Sequence, residues 1–349
     1  MNAKKVAIII LNWNGVQFLE NCLTSATQQT YPNFDCYVVD NGSTDESVQF
    51  ITQKYPQVKI LQLASNTGFA CGNNIGIQKA LKDPEVEYIF TLNNDTKLDK
   101  ECLLHLIQTA ETSPTIGAVA PKMMFFYEPG LIDSIGILVS PDGGGINRGH
   151  KEKDTGQYNT SEEVFGVCAG AALYKRKALE EIAYHNEFFD NSFFLYLEDI
   201  DLNWRLRLMG WKTVTCPDAL VLHIHSATNI SYSPLKAYYV NRNRYFLIIK
   251  NFPLRYLMMA LLLTPYRYIQ LLNSMFVKKS GPSYQLKSKS SNAFEPFFIV
   301  LKGFASLLYH IPLLIKKRRH IQKNKKVLSQ NVGNWLHTYK ANVNTMVYK

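Results

Sequence analysis

The sequence is short of most features that assign a chain quickly. Its six cysteines (Cys22, Cys36, Cys71, Cys102, Cys168, Cys216) include no Cys-x-x-Cys pair. That spacing disfavours a metal cage or a disulfide framework and reads as buried thiols in a reducing compartment. Charge is sparse, at 19% of 349 residues, beside 46% hydrophobic and 12% aromatic residues, so the composition is that of a folded chain rather than a disordered one. A Gly-x-Gly-x-x-Gly dinucleotide fingerprint is missing. Zinc-finger spacing, a basic zipper and internal repeats are missing too, so the formal net charge of +10 is not laid out for a DNA groove. Near the N-terminus an apolar run follows Lys4 and Lys5, but Asn12, Trp13 and Asn14 cut it short without a cleavage site. It reads as a first strand, not a signal peptide.

What is present is an alternation. The length suits one large or two modest domains. Apolar runs at residues 6–11, 36–39, 58–63, 88–92 and 116–120 alternate with helical spacing such as Phe18, Leu19, Cys22 and Leu23. This predicts a doubly wound, mostly parallel α/β sheet. Ser43 and Glu46 have the spacing of a capping box. After residue 121 the rhythm breaks at a glycine-rich stretch, 130–149, expected as a hairpin or loop, and dense patterning resumes over 165–225. From Pro234 onward helices are expected. Two apolar stretches, 254–276 and 294–315, are joined by a Lys/Ser linker and followed by the basic cluster 316–326.

In open α/β sheets, ligands sit at the carboxyl ends of strands, and the candidate motifs fall there. Asp40 leaves the second run in Asp-Asn-Gly, able to accept from a ribose or base, or equally to make a plain turn. Residues 66–76 (Asn66, Gly68, Asn74 and Gly76 among them) offer close backbone approach and an amide-rich helix start that could face an anion. Asn93-Asn94-Asp95 ends another strand with one carboxylate suited to a hard divalent cation, though such a tripeptide also makes turns. The most specific segment is 193–210, where an aromatic run meets Glu198-Asp199 and a helix follows, with Ile200, Trp204 and Leu208 as its buried stripe and Gly210 as its stop. Asp199 is expected at or near the N-cap, and adjacent carboxylates call for a cation or a substrate hydroxyl. His223 follows an apolar run and is either a metal ligand or a hydrogen-bonded histidine. Arg242-Asn243-Arg244 is either a phosphate grip or a basic helix face.

In this order the motifs resemble the family 2 glycosyltransferases, in particular the rhamnosyltransferase-like branch of surface-polysaccharide enzymes, over roughly residues 5–250. The resemblance implies a GT-A fold: a catalytic domain over 1–232, with a nucleotide-binding half (1–121) and an acceptor half (122–232), and a helical, basic membrane-associating region over 233–349. It implies that Asn12, Asp40, Asn66, Gly68, Asn74, Asn94, Gly170 and Arg242 line the donor site. Asp95 and His223 would hold Mg²⁺ or Mn²⁺, with Asn93 standing where the family's Asp-x-Asp has its first acid. Asp199 would be the catalytic base beside Glu198. The reaction implied is inverting transfer of one sugar from dTDP-rhamnose or a UDP-sugar to a glycan or polyprenyl-linked acceptor, at the cytoplasmic face of the membrane. Rival readings are a processive synthase, whose Gln-x-x-Arg-Trp is missing here, a sugar nucleotidyltransferase, and a catalytically inactive glycan-binding module. Pro265, Arg267, Lys302, His310 and Pro312 interrupt the apolar stretches. A charge costs about 2.5–3.5 kcal/mol at the centre of a spanning helix, so helices lying in the interface are expected, with 316–326 on anionic headgroups.

Overall fold

The computed structural model describes residues 3–224, 233–279, 281, 284, 286 and 294–342. The first half runs β1 (Lys5–Asn12), α1 (Val16–Thr27), β2 (Phe34–Asp40), α2 (Ser47–Lys54), β3 (Lys59–Gln62), α3 (Gly68–Ala80), β4 (Val86–Asn93), β5 (Thr96–Leu98), α4 (Cys102–Ala110) and β6 (Ile116–Phe125). It continues through β7 (Ile132–Ser134), β8 (Ile137–Val139), β9 (Gly145–Asn147), β10 (Glu163–Val164), β11 (Ala171–Lys175), α5 (Arg176–Ile182), a 3₁₀ turn (Asn191–Phe193), α6 (Glu198–Leu208) and β12 (Lys212–His223). The C-terminal helices are α7 (Pro234–Asn251), α8 (Leu254–Asn273), α9 (Glu295–Asn324) and α10 (Ser329–Thr338).

The main sheet has the order β10-β12-β6-β11-β4-β1-β2-β3. Its nucleus is parallel: β1 lies between β2 and β4, with Asn12 opposite Asp40 and Leu11 opposite Asn93. Val6, Ile8 and Ile10 enter one core layer while Ala7 and Ile9 enter the other. Both faces are covered, which is why this strand carries no polar residue between Lys5 at its start and Asn12 at its end. The mostly parallel α/β reading holds, with one feature the periodicity did not announce: β11 inserts antiparallel between β4 and β6. The glycine-rich stretch contains the β8–β9 hairpin. The capping box is corrected. α2 starts at Ser47 with Asp45 accepting its N–H, while the Ser43 hydroxyl accepts from Asn12 and Asn14 instead.

The stripe on α6 is buried as expected, but so is nearly every other residue of that helix. Ile200, Trp204 and Leu208 pack with Phe252 just after α7, Leu307 and Leu314 of α9 and Leu336 of α10, while Leu202 and Leu206 face the sheet layer. The C-terminal helices therefore share a core with the helix that opens at Glu198-Asp199. Ser233 caps α7 by accepting from the Lys236 N–H, and Pro234 occupies its first turn. Val139 in β8 donates to the Tyr339 carbonyl and accepts from Ala341, tying the chain's far end to the hairpin.

The basic cluster is only partly available to solvent. Lys317 is buried and pairs with Asp190 (2.6 Å) and Glu187 (3.0 Å). Arg318 donates to the carbonyls of Ile249 and Phe252 at the end of α7, and Lys326 pairs with Glu181. Lys316, Arg319 and Lys323 stay exposed. Of the Lys/Ser linker, most positions lie outside the described residues, as do His225 and Ser226 after β12.

Candidate active site

Three strand ends build one polar cluster. The buried Asn12 amide donates to Asp40 Oδ1 (3.2 Å) and Ser43 Oγ (3.2 Å), and its oxygen accepts from Asn94 (2.7 Å). Asp40 Oδ2 accepts the Ser43 N–H. A carboxylate has about four lone-pair sites, so Asp40 keeps acceptor capacity toward a ligand. Gly15 makes this cluster possible: a Cβ there would lie 2.0 Å from Asn94 Nδ2 and 2.8 Å from Asn12 Oδ1. That requirement is invisible in sequence.

Beside it, Asn41 accepts from Thr67 and donates to Asn66 Oδ1 (3.1 Å), which also takes the Gly68 N–H. Asn66 thus shapes the loop before α3. Gly68 has φ +85°, and a Cβ on it would come within 2.5 Å of the Phe194 ring. The amide-rich start of α3 does not face an anion. Its Phe69 and Ala70 N–H groups donate to the Phe194 carbonyl. Asn74 is likewise apart from the donor cluster: it is buried, donating to the Phe189 carbonyl and Asn191 and accepting from the Phe188 and Phe189 N–H groups. Its amide holds residues 188–191 and has no reach to a donor.

At the end of β4, Asp95 is 4% exposed and lies 3.2 Å from His223 Nε2. Asp133 in β7 takes the other ring nitrogen at 2.7 Å and also contacts His150. Burial alone would depress the His223 imidazole, but hydrogen bonds to Asp133 and Asp95 outweigh it and lift it to about 10. Sequence reasoning missed Asp133. Its signal was a lone carboxylate inside the apolar run 131–135, where burial demands a partner. No group of three or more metal-ligating side chains converges among the described residues. Asp95 and His223 are paired with each other here, so His223 would have to give up a proton before its Nε2 could hold a cation beside Asp95.

Glu198 and Asp199 open α6, but neither is its cap. The N-cap is Leu197, in the left-handed region, with no side-chain cap bond. Phe194 (φ +63°), Tyr196 (+67°) and Leu197 (+66°) place three non-glycine residues at positive φ directly before the acidic pair. Leu195 N–H bonds back to the Phe193 carbonyl (2.7 Å), closing a strained γ-turn on Phe194. This loop is gripped from α7. The Asn243 amide donates to the carbonyls of Phe193 (2.9 Å), Leu195 (2.9 Å) and Tyr196 (2.7 Å). Arg242 donates to Ser192 (2.7 Å) and Phe193 (3.0 Å) and lies over the rings of Tyr239 and Phe246. Arg242 is therefore a clamp on the loop, correcting its expected place in the donor site. Its guanidinium is buried and committed to carbonyls.

The two carboxylates differ in setting. Glu198 is 6% exposed with Oε2 lacking a partner, and burial followed by the charge of Asp199 pushes it well above the usual carboxylate range. Asp199 is raised to about 6 by burial, with the N–H groups of Ile200 and Ala169 pulling the other way. Segment 167–170 joins this pair to the strand ends. Asn203 bonds both ways to Val167 and donates to the Asp199 carbonyl, while Gly170 accepts the Asn93 N–H at 2.8 Å. One short segment thus bridges Asn93, two residues before Asp95, and Asp199.

The model for glycosyl transferase family 2 matches residues 7–183. A relative from Mycobacterium tuberculosis, N-acetylglucosaminyl-diphospho-decaprenol L-rhamnosyltransferase, is 26% identical over 259 residues, covering 65% of this chain and 78% of that protein. The poly-beta-1,6-N-acetyl-D-glucosamine synthase of Staphylococcus epidermidis is 25% identical over 62% of this chain, but the match spans only 48% of the synthase. The structure of S. aureus TarS 1-349 in complex with UDP aligns with a TM-score of 0.53 at 16% identity, covering 95% of this chain and 91% of that one. That of GalNAc-T7 with UDP, GalNAc and Mn²⁺ gives 0.52 at 15%, covering 64% of this chain and 44% of that one. The matched family model covers the strand-end cluster and half the chain, and the chain belongs to glycosyl transferase family 2.

Proposed function

We propose that this glycosyltransferase makes a single inverting transfer, moving one sugar from dTDP-rhamnose or a UDP-sugar onto a glycan carried on a polyprenyl diphosphate. The observation that carries the reading is the bridge through residues 167–170, which joins the strand-end cluster to a carboxylate raised to about 6. In this mechanism Asn12, Asp40 and Asn94 bind the nucleoside, and Gly170 lies beside the donor sugar. Asp199 accepts the proton of the acceptor hydroxyl as its oxygen bonds to the anomeric carbon, and the bond from that carbon to the diphosphate breaks. Glu198, its carboxyl raised by burial and by the neighbouring Asp199, orients the acceptor. Asp95 and His223, the latter after losing a proton, would hold Mg²⁺ or Mn²⁺, which would supply charge neutralisation for the diphosphate. Single transfer is supported by the missing Gln-x-x-Arg-Trp sequence. The acceptor class is supported by the name of the mycobacterial relative.

The reading includes attachment to the cytoplasmic face of the membrane. On α8, Leu254, Met258, Leu261, Leu262, Tyr266, Ile269 and Leu272 are exposed at helical spacing. On α9, Phe297, Phe298, Leu301, Phe304, Leu308 and Tyr309 are exposed too. α9 is long and apolar enough to cross a membrane by length and composition. Its inner stripe of Ile299, Gly303, Leu307 and Leu314 nevertheless belongs to the packed side, and Arg267 of α8 is paired with Asp142 (2.7 Å). Helices already packed on one side suit a position in the interface rather than across it. Domain roles follow the same division, with residues 1–232 catalytic and 233–349 membrane-associating.

The deciding experiment screens release of UDP, dTDP and GDP from a panel of donors with diphosphate-linked and free glycan acceptors. Donor-dependent nucleotide release matched by a glycosylated product supports the reading. Tight nucleotide binding without turnover on any pair would leave a glycan-binding module instead.

A further inference from the structure

Between α7 and α8, behind the exposed apolar face, lies a cluster of cationic and amide donors that the reaction above does not use. Arg244 is 1% exposed. Its Nη1 donates to the Asp142 carbonyl (2.7 Å) and Thr264 Oγ1 (3.3 Å), and its guanidinium lies 4.3 Å over the Tyr245 ring, while Nε and Nη2 have no hydrogen-bond partner. Arg267, one turn along α8 from Thr264, pairs with the Asp142 carboxylate. One turn before Arg244 on α7, Asn241 accepts from Tyr268 Oη (2.8 Å), but its own Nδ2 is buried without a partner. Arg267 takes the Asp142 carboxylate while Arg244 reaches only the Asp142 carbonyl, and every unmet group on the two α7 side chains is a donor. Buried donors in native proteins are almost always satisfied, and an oxygen-rich anion suits a set of unmet donors that includes a guanidinium.

Position narrows the ligand. Asp142 belongs to the β8–β9 turn, whose Gly145 packs on Ile200 at the start of α6, so the cluster lies on the acceptor side of the acidic pair. Thr264 is buried and Arg267 and Tyr268 are partly buried on α8, on the side turned away from the exposed Leu262. A helix is about 10 Å across, so an α8 lying with its apolar face at the acyl boundary holds this cluster at headgroup depth.

We propose that Arg244, Arg267 and Asn241 form a binding site for the diphosphate of a lipid-linked acceptor, which fixes the acceptor's sugar beneath Asp199. The proposal rests on the lipid-acceptor reading of the function and names residues for it.

The test titrates the full chain with farnesyl diphosphate while saturating nucleoside diphosphate fills the donor site, alongside farnesol and inorganic pyrophosphate. Asn241→Asp is the informative variant: it keeps an acceptor for Tyr268 and replaces the unpartnered donor with a negative oxygen. Farnesyl diphosphate should bind at least about tenfold more tightly than farnesol, and Asn241→Asp and Arg267→Gln should each weaken it about tenfold or more. Affinity for nucleoside diphosphate should not change. Asn241→Asp should not lower the melting temperature, because Arg244 gains an anionic neighbour. A merely structural asparagine would give the opposite pair of results. Equal affinity for farnesol and farnesyl diphosphate in the wild type overturns the site without recourse to variants. Pyrophosphate binding as tightly as farnesyl diphosphate, with the same dependence, overturns the lipid source. If no diphosphate-linked acceptor is glycosylated but farnesyl diphosphate binding still depends on Asn241 and Arg267, the functional reading falls and the site stands. Transfer to such acceptors with unchanged acceptor KM in both variants overturns the site alone.

Discussion

Replacing Asn243 with alanine should uncouple activity from folding, because one buried amide holds the strained loop that delivers the acidic pair. The amide donates to three carbonyls of residues 193–196. Its two hydrogens, shared among those carbonyls, and its oxygen, which accepts from Arg242 Nε, make about three bonds of about 1 kcal/mol each, so about 3 kcal/mol of grip is lost. Opposing it are Phe194, Tyr196 and Leu197 at positive φ, costing about 1–2 kcal/mol each. Grip and strain are of the same size, so the truncated clamp lets the loop relax. Strain released on relaxation offsets part of the lost bonding, and the apolar core around Trp204 and Phe252 is untouched. Global stability should therefore fall by less than about 2 kcal/mol. Turnover should fall about 10²-fold, since a misplacement near 1 Å at a catalytic group costs that much. Urea unfolding gives the first quantity, and nucleotide release per folded molecule gives the second. A variant that loses about 3 kcal/mol yet turns over normally when folded would refute the clamp: the loop would then hold its shape unaided.

Four further outcomes are expected. Asp199→Asn should lose about 10²–10⁴-fold in turnover with donor affinity kept, and wild-type turnover should fall as pH drops below about 6; normal turnover in Asp199→Asn with a dead Glu198→Gln would reverse the two roles. Glu198 is raised above its unfolded value, so its contribution to stability is present below about pH 4.3 and is lost as pH rises. Glu198→Gln should therefore melt higher than wild type at pH 7 to 8, with the difference vanishing near pH 4; a lower melting temperature at neutral pH would contradict the burial argument. A chelator should stop turnover and millimolar Mg²⁺ or Mn²⁺ restore it, whereas full activity in chelator would remove the metal role from Asp95 and His223 together. Leu262→Asp with Phe297→Asp, both at exposed positions, should cut sedimentation with anionic liposomes at least about tenfold while leaving the melting temperature in place; unchanged sedimentation would mean these faces meet something other than lipid.

The sequence by itself determined the sheet and the strand ends at which the candidate site lies. A strand buried on both faces is mostly apolar until it ends, so Asn12, Asp40 and Asn93 announced strand ends by closing apolar runs. The α6 stripe was equally legible, because helical spacing with a glycine stop has few alternative readings. What only the tertiary structure decided is how the polar residues are spent. Asn74, Arg242 and Asn243 look alike in sequence as ligand-binding amides and cations, yet their groups go to backbone carbonyls and loops many residues away. Lys317 sits in a run that reads as a surface charge patch, but it meets a buried Asp190 that no local pattern could pair with it. The antiparallel entry of β11, the partnership of Asp133 with His223 and the three strained residues before Glu198 are also products of packing. Local propensity opposes positive φ at Phe194, Tyr196 and Leu197, and only contacts distant in sequence hold them there.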